Sequence, residues 1–206
     1  GYMGSRFSVE ALKNKGMDKL PIYGFGSVTV PGAPAAWAAV NSRFGRLPLS
    51  EVVAPAAAYA ENGQAVTQGL HDMMTLFSGR LKGALDSAPE CAEWFKCFMP
   101  EGRVPEAGEI FRNPDQAKTL REIGETNAES YYRGNIAEKI AAYSEKYGGW
   151  ITKEDLADYK PEWVEPVSVN YRGYDVWELP PNGQGIVALM ALNILPGLLL
   201  AFIFWF

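Results

Sequence analysis

The stretch from Gly149 to Gly185 constrains this chain more than any other part. Gly148-Gly149 closes whatever precedes it. Thr152-Lys-Glu-Asp155 then places a hydroxyl three residues ahead of a carboxylate, a capping signature that opens a single helical turn over residues 156–159. Two runs of alternating side chains, roughly residues 165–171 and 174–179, flank Arg172-Gly173 and predict a β-hairpin with a tight turn. Pro180-Pro-Asn-Gly183 turns the chain again. Residues 184–195 follow as a small-residue, strongly apolar helix of the kind buried between a sheet and another layer.

Upstream, helices dominate. Ser27-Val-Thr-Val30 reads as a short β-branched strand broken by Pro31-Gly32, and Pro34 is placed to start a helix that Gly45 closes after Phe44. Residues 50–61 predict a second helix, which Pro55 kinks or opens, and Thr67 caps a third over 68–85. Residues 87–98 read as helix and 100–112 as loop. Asn113-Pro-Asp-Gln116 begins a helix to about 124, and shorter helices follow over 127–132 and 135–147. Helices first, then a hairpin, then a buried helix predicts α+β or layered packing, with no internal repeat and no clean linker.

The chain of 206 residues is long enough for one sizeable core. A net charge of −5 offers no basic footprint for a phosphate backbone, which argues against nucleic acid as a partner. Cys91 and Cys97 share a predicted helix. Their α-carbons would lie roughly 9 Å apart along its axis, too far for a disulfide. No charged segment followed by an apolar run opens the chain, so no signal peptide is legible, and the compartment is left open.

Catalytic candidates are few. His71 stands beside Asp72 on a helix, and no Ser or Cys has a nucleophile's sequence context, so it reads as a solvated or hydrogen-bonded residue rather than a base. One histidine and two helical cysteines do not make a metal site. Glu162 and Glu165 could form an acid–base pair; beside Trp163 and Pro166, strand-edge charges facing water is the preferred reading. At Asn182, Gly183, Gln184 and Gly185, amides at a helix start could receive an anion; a structural strand-to-helix turn is the preferred reading. Arg6 could pair with a carboxylate; composition alone makes it a surface arginine.

Residues 149–195, together with Ser27-Val-Thr-Val-Pro-Gly-Ala-Pro-Ala-Ala-Trp37, Phe44-Gly-Arg-Leu-Pro-Leu-Ser-Glu-Val-Val-Ala-Pro-Ala56 and Tyr131-Tyr-Arg-Gly-Asn-Ile-Ala-Glu-Lys-Ile140, resemble the large subunit of the γ-glutamyltransferase family in order and spacing. Pro-Pro-Asn-Gly-Gln-Gly185 is similar to one branch of it. The resemblance implies an N-terminal-nucleophile hydrolase, a precursor that cleaves itself into two subunits forming a layered αββα sandwich. It implies a small catalytic subunit from the same precursor as partner, a γ-glutamyl small molecule such as glutathione as substrate, and no cofactor. The small subunit's N-terminal threonine would attack the γ-glutamyl amide with its own α-amine as base, and backbone amides would stabilise the oxyanion. A cephalosporin-acylase-like amidohydrolase of the same family is the alternative.

The departures from the family pattern carry as much weight as the match. Threonines at 29, 67, 75, 119, 126 and 152 are isolated, and no Thr-Thr pair occurs, so no catalytic residue is expected in this chain and the polypeptide by itself is expected to be inactive. The family's substrate-carboxylate arginine lies upstream of the segment matching Ser27. Arg6 is the only arginine there and takes that role by resemblance. The family-like text ends at Leu195, making residues 1–195 an incomplete large-subunit domain and the wholly apolar 196–206 a tail, read as non-native in preference to a membrane anchor. Pro196-Gly197 at mid-span and the lack of flanking Lys or Arg argue against the anchor. A non-catalytic helical domain with such an anchor is the reading from a different class.

Overall fold

The computed structural model describes residues 2–181 and 183–203, with side chains through Leu195. They fall into two compact units, Gly1–Pro161 and Glu162–Phe206.

The first unit is helical: α1 (Val9–Asn14), α2 (Ala33–Phe44), α3 (Leu49–Asn62), α4 (Gln68–Lys82), α5 (Ala92–Phe98), α6 (Pro114–Glu125), α7 (Glu129–Arg133), α8 (Asn135–Lys146) and α9 (Lys153–Ala157). Side-chain caps set many of the starts. Ser8 accepts from Ala11 N–H at 2.9 Å, Thr67 from Leu70 N–H at 3.2 Å and Asn113 from Gln116 N–H at 3.1 Å. The Asn113 cap is one-sided: its own N–H goes to the Ala60 carbonyl at 2.7 Å, not to Gln116. Helix α3 runs through Pro55, which sits in its second turn and leaves the Glu51 carbonyl without the usual donor.

One core forms where α2, α3, α6 and α7 meet, from Ala35, Ala38, Leu49, Val53, Ile123, Ala128 and Tyr132. The α3–α6 contact depends on Gly124. A Cβ there would lie 2.6 Å from Val53 Cγ2 and 2.8 Å from Ser50 Cα. A second core joins Val30, Ala137, Ile151 and Leu156, with Ile140 and Tyr159 packed against it.

Three sequence expectations are corrected in this unit. Instead of a strand over 27–30, a 3-10 turn covers Phe25–Ser27, and pairing is limited to a bridge between Met3 and Thr29. Pro31 has no N–H with which to continue a ladder. The helix expected over 87–98 is divided: Ala88, at φ −140° and ψ 70°, leads into a 3-10 turn, Pro89–Cys91, before α5 begins. Proline disfavours helical geometry in the residue before it. Cys91 and Cys97 are free thiols. The expected loop over 100–112 contributes β2 (Ile110–Phe111), antiparallel to β1 (Gln64–Ala65), a ladder too short to show periodicity.

The second unit holds the hairpin, β3 (Val167–Tyr171) and β4 (Tyr174–Glu178), in the register Tyr171 to Tyr174 and Val169 to Val176. Arg172 at φ 54° and Gly173 at φ 86° make the turn with both central residues left-handed, as the type I′ form of a two-residue hairpin loop requires. Helix α10 (Gly185–Ile203) packs on both strands. It continues through Pro196 rather than stopping at Leu195. Its expected burial is not met in this chain: Leu189 is buried, while Val187, Met190 and Ile194 are each more than half exposed. A two-stranded hairpin covers only one side of a helix. Among the described residues, no helix is long and apolar enough to cross a membrane.

Candidate functional site

Arg6 occupies a corner of the β-turn Gly4–Phe7, closed by Phe7 N–H donating to the Gly4 carbonyl at 2.9 Å. Three contacts hold this turn. Gly4 lies so close to the Trp150 backbone that a Cβ would sit 2.2 Å from its carbonyl oxygen. Ser5 N–H donates to Asp155 Oδ1 at 2.8 Å. Phe7 meets the Trp150 ring edge-on, 5.6 Å between centroids. The segment before the turn is held too, by Val30 N–H donating to the Tyr2 carbonyl at 2.9 Å and by Tyr2 stacking on Tyr159. The Arg6 side chain is exposed and has no hydrogen-bond or ion-pair partner among the described residues.

Asp155 anchors the site. It completes a reciprocal capping box: Thr152 Oγ1 accepts from Asp155 N–H at 3.1 Å, and Asp155 Oδ2 accepts from Thr152 N–H at 2.8 Å and from its hydroxyl at 3.0 Å. Burial alone would push its carboxyl up, but the hydrogen bonds from Thr152 and Ser5 outweigh burial and hold it below the usual aspartate range. Trp150 is fixed through Nε1–H to the Gly26 carbonyl at 2.9 Å, and Lys15 Nζ lies 4.1 Å over its ring. Trp150 also lines a cleft of about 1000 Å³, with Lys15, Leu20, Tyr23, Phe25 and Tyr147.

The remaining sequence candidates have other surroundings. Asn182 lies outside the described residues. Gly183 and Gln184 are exposed. Gly185 opens α10 where a Cβ would come within 2.4 Å of Glu178 Oε2, so close packing accounts for that glycine. His71 Nδ1 is 2.9 Å from the Pro105 carbonyl and 3.9 Å from the Glu106 carboxylate, a hydrogen-bonded helix residue. Glu162 and Glu165 are exposed in the segment ahead of β3. Sequence reasoning found Asp155 as a cap and missed its bond to Ser5. No local pattern signals a contact across 150 residues.

A comparison with protein-family models matches residues 4–202 to the family described as gamma-glutamyltranspeptidase. The chain belongs to this family, and its fold is the α+β, N-terminal-nucleophile-hydrolase type of the solved members. The match passes Leu195, where the family-like text was expected to stop. The chain is 36% identical over 184 residues to the glutathione hydrolase-like YwrD proenzyme of Bacillus subtilis, covering 88% of this chain and 33% of that protein. It is likewise 36% identical over 166 residues to the glutathione hydrolase proenzyme of Escherichia coli, covering 80% of this chain and 28% of that one. Among solved structures it resembles the cephalosporin acylase from Bacillus halodurans, with 49% identity and a TM-score of 0.81 over 94% of this chain and 36% of that one. The chain thus spans about a third of the length of the curated relatives it matches.

Proposed function

We propose that this chain is large-subunit sequence of an enzyme that cleaves γ-glutamyl amides and transfers the γ-glutamyl group to water or an amino acid. The observation that carries the reading is the Arg6 turn: a backbone held on both sides presents a guanidinium with no hydrogen-bond or ion-pair partner among the described residues. Such a group suits bidentate pairing with the α-carboxylate of a γ-glutamyl substrate. The family membership and the glutathione hydrolase names of relatives support the substrate class.

In this reading, a small subunit from the same precursor supplies the threonine. Its α-amine takes the proton from Oγ as Oγ attacks the amide carbon, and the resulting oxyanion is held by backbone N–H groups. Collapse expels the amine, which leaves with that proton, and gives a γ-glutamyl ester. Water or an acceptor amine then attacks the ester and restores the threonine. Within the second unit, the amides of Gly183, Gln184 and Gly185 at the start of α10 are proposed separately as an anion contact.

The acylase reading is favoured by one observation, the 49% identity with the Bacillus halodurans cephalosporin acylase over 94% of this chain. It would keep the chemistry and change the acyl group. The test is hydrolysis of a γ-glutamyl anilide and of a glutaryl anilide, the same acyl chain without the α-amine, by this chain, alone and mixed with a relative's small subunit that begins at its threonine. We expect no turnover by the chain alone and γ-glutamyl turnover in the mixture. Turnover of only the glutaryl substrate would replace the main reading with the acylase one, and turnover by the chain alone would show that the nucleophile lies within it.

A further inference from the structure

We infer that Asp155 is a positioning residue for Arg6: besides capping α9, its buried carboxylate sets the turn from which Arg6 reaches the substrate's anionic end. The inference rests on Arg6 as the carboxylate-binding residue.

The two oxygens of Asp155 divide their work. Thr152 N–H and Oγ1 both donate to Oδ2, which completes the capping box by itself. Oδ1 is left to Ser5 N–H, 2.8 Å away. The residue is 7% exposed, so an oxygen without that donor would be a buried acceptor left unsatisfied. Capping therefore does not explain the whole carboxylate; the bond to Ser5 explains the rest.

That bond acts directly next to Arg6. With Gly4 against the Trp150 backbone and Phe7 against its ring, the turn is held at every residue except Arg6. Trp150, Thr152 and Asp155 belong to one short stretch, so a single piece of chain holds all three positions. Its oxygens are taken by Ser5 and Thr152, and among the described residues Asp155 makes no ion pair with the guanidinium it places. Bidentate pairing is sensitive to angle, and a fixed α-carbon sets the point and direction from which the guanidinium reaches the carboxylate.

The experiment is a double-mutant cycle on the assembled two-subunit enzyme, with Asp155→Asn, Arg6→Ala and both together, measured on a γ-glutamyl anilide. Asparagine keeps one acceptor and cannot serve both Ser5 and Thr152. Ser5→Pro is the second variant. Proline suits the second position of a β-turn and lacks the N–H, so it breaks the tether while leaving both capping-box partners in place. Asp155→Asn and Ser5→Pro should each raise KM about tenfold with kcat changed far less, the loss expected for one hydrogen bond to a charged group. On the Arg6→Ala background neither should raise KM further. If Arg6→Ala raises KM but the tether variants do not, or if they raise it equally on both backgrounds, the inference fails and Arg6 keeps its role. If Arg6→Ala leaves KM unchanged, the reading of Arg6 fails and takes the inference with it.

Discussion

Tyr132 shows how a single hydroxyl holds two segments. It donates to the Pro31 carbonyl at 2.8 Å and accepts from Ala35 N–H at 3.2 Å, one of the first-turn donors of α2 that Gly32, with no side chain, cannot cap. Burial pushes its phenol up to about 12. Tyr132→Phe should cost about 1–3 kcal/mol in urea unfolding, because both backbone partners lose their bond without gaining water. Asp155 adds a pH dependence. Its folded pKa is depressed, so its stabilisation is present above the unfolded value of about 3.9 and is lost as pH falls from there through the depressed value. The unfolding free energies of the wild type and Asp155→Asn should therefore differ most near neutrality and converge on acidification. A constant difference down to acid pH would mean that the carboxylate's charge contributes nothing. In the sequence, Asp155 was legible only as a cap. Its second partner is a backbone N–H, and any residue but proline supplies one.

At the scale of elements, α3 and α6 set up a conflict between propensity and packing. Gly124 sits in the last turn of α6, where alanine is the better helix former by about 1 kcal/mol. Its Cβ would meet Val53 and the Ser50 backbone, and overpacking of that kind costs about 1–3 kcal/mol. We expect Gly124→Ala to destabilise, read as a lower urea midpoint with an unchanged slope; a higher midpoint would mean that the helices separate at little cost. Such contacts mark the limit of reading elements from sequence. Helices α2, α3, α6 and α8, the hairpin and the Thr152 cap carry local signals in periodicity, prolines and turn residues, and they form where those signals fall. The Met3–Thr29 bridge and the β1–β2 ladder depend on distant partners and leave almost no local trace. Helix α1 did have a signal, Ser8 three residues ahead of Ala11, though its six residues show too little periodicity to stand out.

At the scale of the whole molecule, the second unit leaves much apolar surface uncovered. Trp163, Trp177, Leu179, Val187 and Met190 are each more than half exposed, and among the described residues two strands pair in its sheet. Surfaces of this kind mark interfaces or cause association. We expect the chain alone to bind an apolar dye and to elute increasingly as larger species as concentration rises, and a small subunit to suppress both. Unchanged dye binding in the mixture would contradict that. The site is split in legibility as well. Arg6 could be chosen because family resemblance places an arginine there, but the tethers that make it a presented group exist only once residues 4–7 meet 150–155. The most direct test of the central claim is γ-glutamyl anilide hydrolysis by the two-subunit mixture with Arg6 or Arg6→Ala in this chain. We expect turnover with Arg6 and a KM raised at least tenfold without it, the loss of one bidentate charge pair. Equal KM values for the two would contradict it.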